Sequence, residues 1–340
     1  MRAAFYYNNR DVRVQELPVP NIREGELLVK VEASGICGSD VMEWYRIKKA
    51  PLVLGHEIAG TVTEAGAGVT KFKVGDRVTV AHHVPCNSCR YCLAGNHSVC
   101  DTLRTTNFDP GGFSEYLRVP AINVERGTFK LPDSMTFGEG TFSEPLGCVV
   151  RGMRAARFEP GKTVLVIGSG MSGLLYIRLA KALGAGKIIA TDISDYRLNA
   201  AKASGADLVL KADSDVPAEV RKFLGRLADI VVVCVARDSA FTQALKSVDK
   251  GGVVSFFAPK EPGETFPIPM FDLWRDNITI VHSYASPPLD TQTALDLIES
   301  KRVPVEDLIT HRLKLDEAQE GFSLAAGAGD SIKVVIEPNR

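Results

Sequence analysis

Between Thr163 and Asp192 the chain runs from TVLVI through Gly168-Ser169-Gly170-Met171-Ser172-Gly173 into a stretch with Leu174, Leu175, Ile177, Leu179 and Leu183, and then KIIATD. A strand, a glycine-punctuated turn, an amphipathic helix and a second strand make a βαβ unit, which closes only into a parallel sheet covered by crossover helices. The glycines add chemistry to that geometry. Gly168 permits the tight turn, Gly170 lets the backbone approach a pyrophosphate, and Gly173 lets the helix lie close on the sheet, its N-terminus facing the phosphates. Asp192 ends the second strand about twenty residues on, where a carboxylate meets the adenosine ribose hydroxyls and repels a 2′-phosphate. NAD is therefore expected over NADP, with Arg197, one helical turn further, as the cation that would favour a phosphate. Glycine-rich turns are common, and a plain strand-turn-helix with a capping acid is the alternative; the complete ordered set favours the dinucleotide.

The same alternation continues through DLVL, a helix near Val220, DIVVVCVA, a helix from Phe241, VVSFFA and ITIVHS. Residues 151–284 are thus expected to form a doubly wound parallel-sheet (Rossmann) domain. Residues 1–150 have another texture, with short β-rich runs (LLVKVEAS, EIAGTVTEAG, RVTVAHH) broken by Gly and Pro, as in a partly open antiparallel barrel or sandwich. After residue 285 the pattern gives isolated helices and a final strand, KVVIEP, expected to rejoin the first part. The fold class is α/β: a β-rich, barrel-like catalytic domain (1–150 and 285–340) with the Rossmann domain inserted. A length of 340 residues suits two such domains.

A formal charge of −1 gives no footprint for nucleic acid or an anionic membrane. No apolar run reaches the length of a spanning helix, and the start MRAAFYYNNR lacks the apolar core of a secretory leader. A soluble cytoplasmic protein acting on small molecules is expected.

Four of seven cysteines, Cys86, Cys89, Cys92 and Cys100, crowd into CNSCRYCLAGNHSVC. Thiols this close hold a metal or pair as disulfides, and a reducing compartment favours the metal. Four sulfur ligands suit tetrahedral zinc in a closed, structural site; unconnected thiols are the alternative. Chemistry must then lie elsewhere. Cys37-Gly38-Ser39-Asp40, Gly55-His56-Glu57 and Glu144-Pro145-Leu146 supply the residue types of a catalytic zinc site, which needs three protein ligands and an open position. From residue types and spacing alone, His56 as a satisfied core histidine and Cys37 as a small buried apolar residue are the favoured readings.

GICGSD, GHEIAG, the four-cysteine lobe, EPL and VLVIGSG followed by a strand ending in Asp192 together resemble, in order and spacing, the zinc-dependent medium-chain alcohol dehydrogenase family, nearest its sorbitol and polyol branch. GGFSEY (111–116) and THR (310–312) extend the resemblance over the whole chain. It implies two zinc ions per chain and NAD. It also implies that Cys37 and His56 bind the catalytic zinc, with Glu57 and Glu144 coordinating directly or through water. Ser39 would relay the alcohol proton, Asp40 would accept from the far nitrogen of His56, and Tyr284, with His282, would lie by the nicotinamide. The implied reaction takes a secondary alcohol, as a polyol, sugar alcohol or cyclitol, to its ketone and back, with a simple alcohol, diol or hydroxy amino acid as other substrates. The implied assembly is a homo-oligomer, tetramer or dimer.

Two departures stand out. Met42 replaces a histidine that carries the proton onward in many relatives, and Ser283 replaces an arginine frequent in the polyol enzymes. Residues 43–49, with Trp44, either line the mouth of the substrate site or form a solvated loop. A non-enzymatic dinucleotide-binding protein and a zinc-free reductase of carbon–carbon double bonds are the rival classes on this fold; the intact Cys37, His56 and Glu144 set argues against both.

Overall fold

All five residues of the strand Thr163–Ile167 are buried, as expected for a β-branched run paired on both edges. In the computed structural model, which describes residues 1–327 and 329–340, this strand sits at the centre of a six-stranded sheet. Its order is Leu208–Lys211, Lys187–Asp192, Thr163–Ile167, Ala228–Val233, Val248–Phe256 and Thr279–His282. Every pairing is parallel. The order reverses at Thr163–Ile167, the switch point where a doubly wound sheet opens a crevice at its strand ends. The helix Met171–Ala182 starts there and buries Leu174, Leu175, Ile177 and Leu179. A Cβ on Gly173 would lie 2.0 Å from the carbonyl oxygen of Gly168, so only glycine lets the helix come this close.

This sheet and its helices make one compact unit, Cys148–Tyr284. The other unit comprises Met1–Gly147 and Ala285–Arg340. Its sheet runs Ile309–Lys314, Lys333–Glu337, Leu27–Gly35, Glu57–Ala65, Arg77–Ala81 and Thr128–Lys130, with Tyr116–Val119 also paired to Leu27–Gly35. A small sheet of Asp11–Glu16, Arg2–Asn8 and Leu52–Val53 completes it.

The segment after residue 285 corrects the expectation of helices and a single strand. Ile309–Lys314 is also a strand, paired in parallel with Lys333–Glu337. Its residues are half-buried or exposed, and Thr310, His311 and Arg312 interrupt any apolar alternation, so period-two patterning is silent there.

Register fixes where the chemistry-bearing residues fall. Gly35 pairs with Glu57, Glu57 with Ala81, and Val335 with Gly35. Cys37, His56, His82 and Lys333 are therefore all placed at one end of neighbouring strands, although Cys37 and Lys333 are separated by most of the chain. No helix among the described residues is long and apolar enough to cross a membrane.

Candidate active site and metal centres

Cys37, His56 and Glu57 are brought together at those strand ends, each offering a ligand atom within 4.8 Å of the others. Glu144 is buried in the helix Ser143–Ala155 but lies outside that group. Asp40 is wholly buried and gathers donors around it. The Cys37 N–H donates to Asp40 Oδ2 at 3.1 Å, and His56 Nδ1 lies 3.3 Å from Oδ1. Burial disfavours a charge on His56, yet the carboxylate of Asp40 and the sulfur of Cys37 outweigh it and hold its pKa well above the usual value. Burial likewise opposes the Asp40 charge, and His56 and Arg46 more than offset it, lowering its pKa. The imidazole is thus oriented by a carboxylate on one nitrogen, leaving the other for a metal.

Glu57 is wholly buried, and its Oε2 forms an ion pair with Lys333 Nζ, itself wholly buried. Lys333 Nζ also donates to the carbonyl of Ile36 at 3.2 Å. The pair crosses directly over Gly35, where an added Cβ would come within 2.3 Å of Glu57 Oε2 and 2.6 Å of Lys333 Cε. Glu57 Oε1 has no hydrogen-bond partner. A buried carboxylate oxygen with no donor, next to a thiol and an imidazole, is costly unless a cation completes it. The donor set of sulfur, nitrogen and oxygen suits zinc.

His82 and His83 are neighbours of this group that sequence reasoning overlooked. Their rings lie 3.9 Å apart, and His82 is 4.7 Å from His56. Burial, reinforced by the nearby cations, drives the His82 pKa well down and that of His83 to about 4. Both rings are neutral at neutral pH. The available signal was strand register, because His82 follows Ala81, the partner of Glu57.

The cysteine lobe has the dimensions of a tetrahedral site. Sulfur–sulfur separations are 3.5 Å for Cys89–Cys92, 3.6 Å for Cys86–Cys100 and 3.9 Å for Cys86–Cys92. Four sulfurs ~2.3 Å from a zinc have edges of roughly 3.8 Å, whereas a disulfide needs about 2.05 Å. The N–H groups of Ser88 and Cys89 point at Cys86 and draw its pKa to about 5, while burial and neighbouring thiols push Cys92 up to about 12. Four thiolates cannot coexist here without a cation. The lobe fits a structural zinc.

The glycine-rich turn fits a dinucleotide. Gly170 caps the helix Met171–Ala182 without any side-chain hydrogen bond, so the first-turn N–H groups are left for a phosphate. Arg197 Nη1 would lie 3.8 Å from a Cβ on Gly170, and Arg197 Nε is buried without a partner. Asp192 accepts from the N–H of Ser169 at 2.8 Å and of Ser194 at 2.9 Å, so it pins the turn. Tyr284 is 49% exposed and follows the edge strand by two residues.

The ion pair across Gly35 gives the first prediction. Lys333→Met keeps the reach of the side chain and strands Glu57 as a buried, uncompensated carboxylate, so chemical denaturation should show a loss of about 3–5 kcal/mol. Adding Glu57→Leu in the same chain should recover much of that loss. A Lys333→Met protein as stable as the parent would contradict the pairing.

Two family models match this chain: the alcohol dehydrogenase GroES-like domain over residues 23–133 and the zinc-binding dehydrogenase over 173–300. A sorbitol dehydrogenase of Bombyx mori is 33% identical over 98% of this chain and 97% of its own. An L-threonine 3-dehydrogenase of Bacillus velezensis is 35% identical over 96% and 95%. The crystal structure of 2R,3R-butanediol dehydrogenase from Bacillus subtilis superposes with a TM-score of 0.88 at 27% identity, covering 99% of each chain. Catalysis by oxidation and reduction, a mixed α/β fold with a Rossmann-like sheet, and the cysteine lobe all point the same way. The chain belongs to the zinc-dependent medium-chain alcohol dehydrogenase family.

Proposed function

We propose that this oxidoreductase converts a secondary alcohol to its ketone, and the reverse, with NAD as hydride carrier and two zinc ions per chain. The observation that carries this reading is the Cys37, His56 and Glu57 group, with its unsatisfied buried Glu57 oxygen, in a chain that also has the glycine-rich turn. When bound there, zinc supplies the Lewis acidity that brings an alcohol hydroxyl within reach of ionisation near neutral pH. Cys37 and His56 would hold it, with Glu57 or Glu144 as the third protein group, and Cys86, Cys89, Cys92 and Cys100 would hold the structural ion.

Ser39 Oγ lies 3.4 Å from Cys37 Sγ, beside the group that would hold the metal, and would take the alcohol proton while releasing its own to water or the cofactor ribose. The thioether of Met42 accepts no proton at this pH, so the relay is short. Asp40 keeps the His56 ring in place. The turn from Gly168 to Gly173 and the ribose-facing Asp192 would seat NAD, with Arg197 beside the phosphates and Tyr284 beside the nicotinamide.

The relatives narrow the substrate. Sorbitol, butanediol and threonine share a secondary alcohol with a hydroxyl or amine on the adjacent carbon. A polyol, sugar alcohol or cyclitol fits that pattern best, and a hydroxy amino acid is the second reading, supported by the identity to the threonine enzyme. A panel of such alcohols, assayed by reduction of NAD, should give the highest kcat/KM with a vicinal polyol; a preference for primary alcohols would contradict the reading. A homo-oligomer, dimer or tetramer, and a reducing, cytoplasmic setting complete the proposal. Phe271 and Trp274, 64% and 77% exposed beside the edge strand, are apolar surface that a second copy would cover.

Elemental analysis should give close to two zinc ions per chain. Cys37→Ala should lose one ion and the activity while keeping the fold by circular dichroism. A parent protein with one zinc, or a Cys37→Ala protein with two and full turnover, would overturn the catalytic assignment.

Cofactor choice gives a further prediction. A carboxylate facing a 2′-phosphate costs on the order of 2 kcal/mol, or roughly 30-fold in kcat/KM, so NAD should be favoured by about that ratio. Asp192→Ser should erase most of the preference, with some loss of stability because Asp192 also holds the turn. Preference of the parent protein for NADP would assign the dominant influence to Arg197 instead.

A further inference from the structure

Arg46 closes the short helix Glu43–Arg46, and its guanidinium turns back onto the Cys37–Asp40 loop. Nε donates to the carbonyl oxygen of Ser39 at 2.9 Å. Nη2 donates both to Ser39 Oγ at 3.1 Å and to Asp40 Oδ1 at 3.2 Å. The same Asp40 oxygen lies 3.3 Å from His56 Nδ1. From behind, the ring of Tyr45 lies 4.7 Å from the guanidinium carbon. The side chain is 15% exposed, so little water screens these contacts. One nitrogen therefore joins the serine proposed to take the alcohol proton to the aspartate that orients the metal-binding histidine.

The chemistry of each group limits what this junction does. A guanidinium stays protonated, so Arg46 cannot take the place of a proton-carrying histidine. Its N–H fills one lone pair of Ser39 Oγ and directs the serine's single O–H away from Arg46, here onto Cys37 Sγ, so that one lone pair is left to accept the alcohol proton. A fixed cation 3.1 Å from that oxygen also favours the negative charge that gathers on it as a proton is passed. On the other side, the planar fork holds Asp40 Oδ1 where it accepts from His56, and such partners of a ligand histidine affect both metal affinity and ligand orientation.

We propose that Arg46 is a positioning residue that couples Ser39 to His56 through Asp40, fixing the hydroxyl orientation and the ligand ring with one side chain. The coupling suits a chain in which Met42 cannot extend the proton path, because the whole burden of proton transfer then falls on the orientation of Ser39. The proposal rests on the reading of Cys37, His56 and Glu57 as the catalytic metal centre. A loop staple alone would also explain why Arg46 binds Ser39, so the test reads quantities that a staple would leave unchanged.

The experiment compares the parent with Arg46→Met and Arg46→Lys as zinc-loaded full-length proteins. Zinc release to a chromogenic chelator should be biphasic, one ion from each site. Arg46→Met should speed release of one ion about 10-fold or more and leave the other unchanged. It should lower kcat by about 10²-fold with little change in KM for the nucleotide. Arg46→Lys, which keeps the charge but not the fork, should fall between the two. Parent-like release kinetics and kcat within twofold in Arg46→Met, with the parent holding two zinc ions, would overturn the proposal and leave the function standing. A parent that binds a single zinc would remove the functional reading itself, and the proposal with it. If Arg46→Met does not fold, Arg46→Lys decides: unchanged release and turnover count against the coupling.

Discussion

Everything at the candidate site depends on a buried ion pair laid across a glycine. Glu57 and Lys333 are both wholly buried, and they meet over Gly35, where any side chain would collide with them. Three strands converge there because Gly35 pairs with Glu57 on one edge and Val335 on the other. A buried pair of this kind contributes little net stability compared with an apolar replacement, but losing one partner is expensive. Its effect is therefore one of register. Strands slipped by one residue would leave an unpaired charge in the core, so the pair selects the alignment in which Cys37 and His56 stand together.

Charge at these strand ends is arranged in complementary couples with one gap. Lys333 balances Glu57, and Arg46 with His56 balances Asp40. His82 and His83 are kept neutral by burial and by the cations around them. Glu57 Oε1 has no hydrogen-bond partner, and it lies beside the sulfur of Cys37 and the ring of His56. A divalent cation would complete that arrangement. The cysteine lobe presents the same logic in closed form, with four sulfurs at tetrahedral spacing and no room for a substrate. One unit of the chain thus carries residues suited to an open centre and to a closed one, and the family to which the chain belongs is named for that metal.

The inserted sheet was legible because its central strands are buried on both faces and its strands alternate with helices, so apolar runs alternate cleanly with helical spacing. The turn from Gly168 to Gly173 is written in local residues, and Gly173, inside the helix, is glycine for the local reason that a Cβ there would strike the carbonyl oxygen of Gly168. Ile309–Lys314 was not legible, since a half-buried strand with polar centre residues has no period to read. The same contrast divides the site. The four lobe cysteines announce themselves by residue type and short spacing, whereas Cys37 and His56 stand out only within the ordered set of motifs shared with the family. Lys333 reads as an ordinary surface lysine until the fold carries it across 276 positions to Glu57. Arg46 lay in a stretch that reads equally as the mouth of a site or a solvated loop, and His82 in the tail of a strand, because both acquire their meaning from neighbours that only the fold supplies.

Zinc K-edge X-ray absorption of the metal-loaded protein tests the central claim most directly, because it reads the atoms around the metal. The account predicts a first shell averaged over two environments: four sulfurs from the lobe in one, and in the other a single sulfur from Cys37 with nitrogen and oxygen neighbours from His56 and a carboxylate or solvent. A purely four-sulfur shell, with no nitrogen or oxygen at bonding distance, would contradict a metal centre at Cys37, His56 and Glu57.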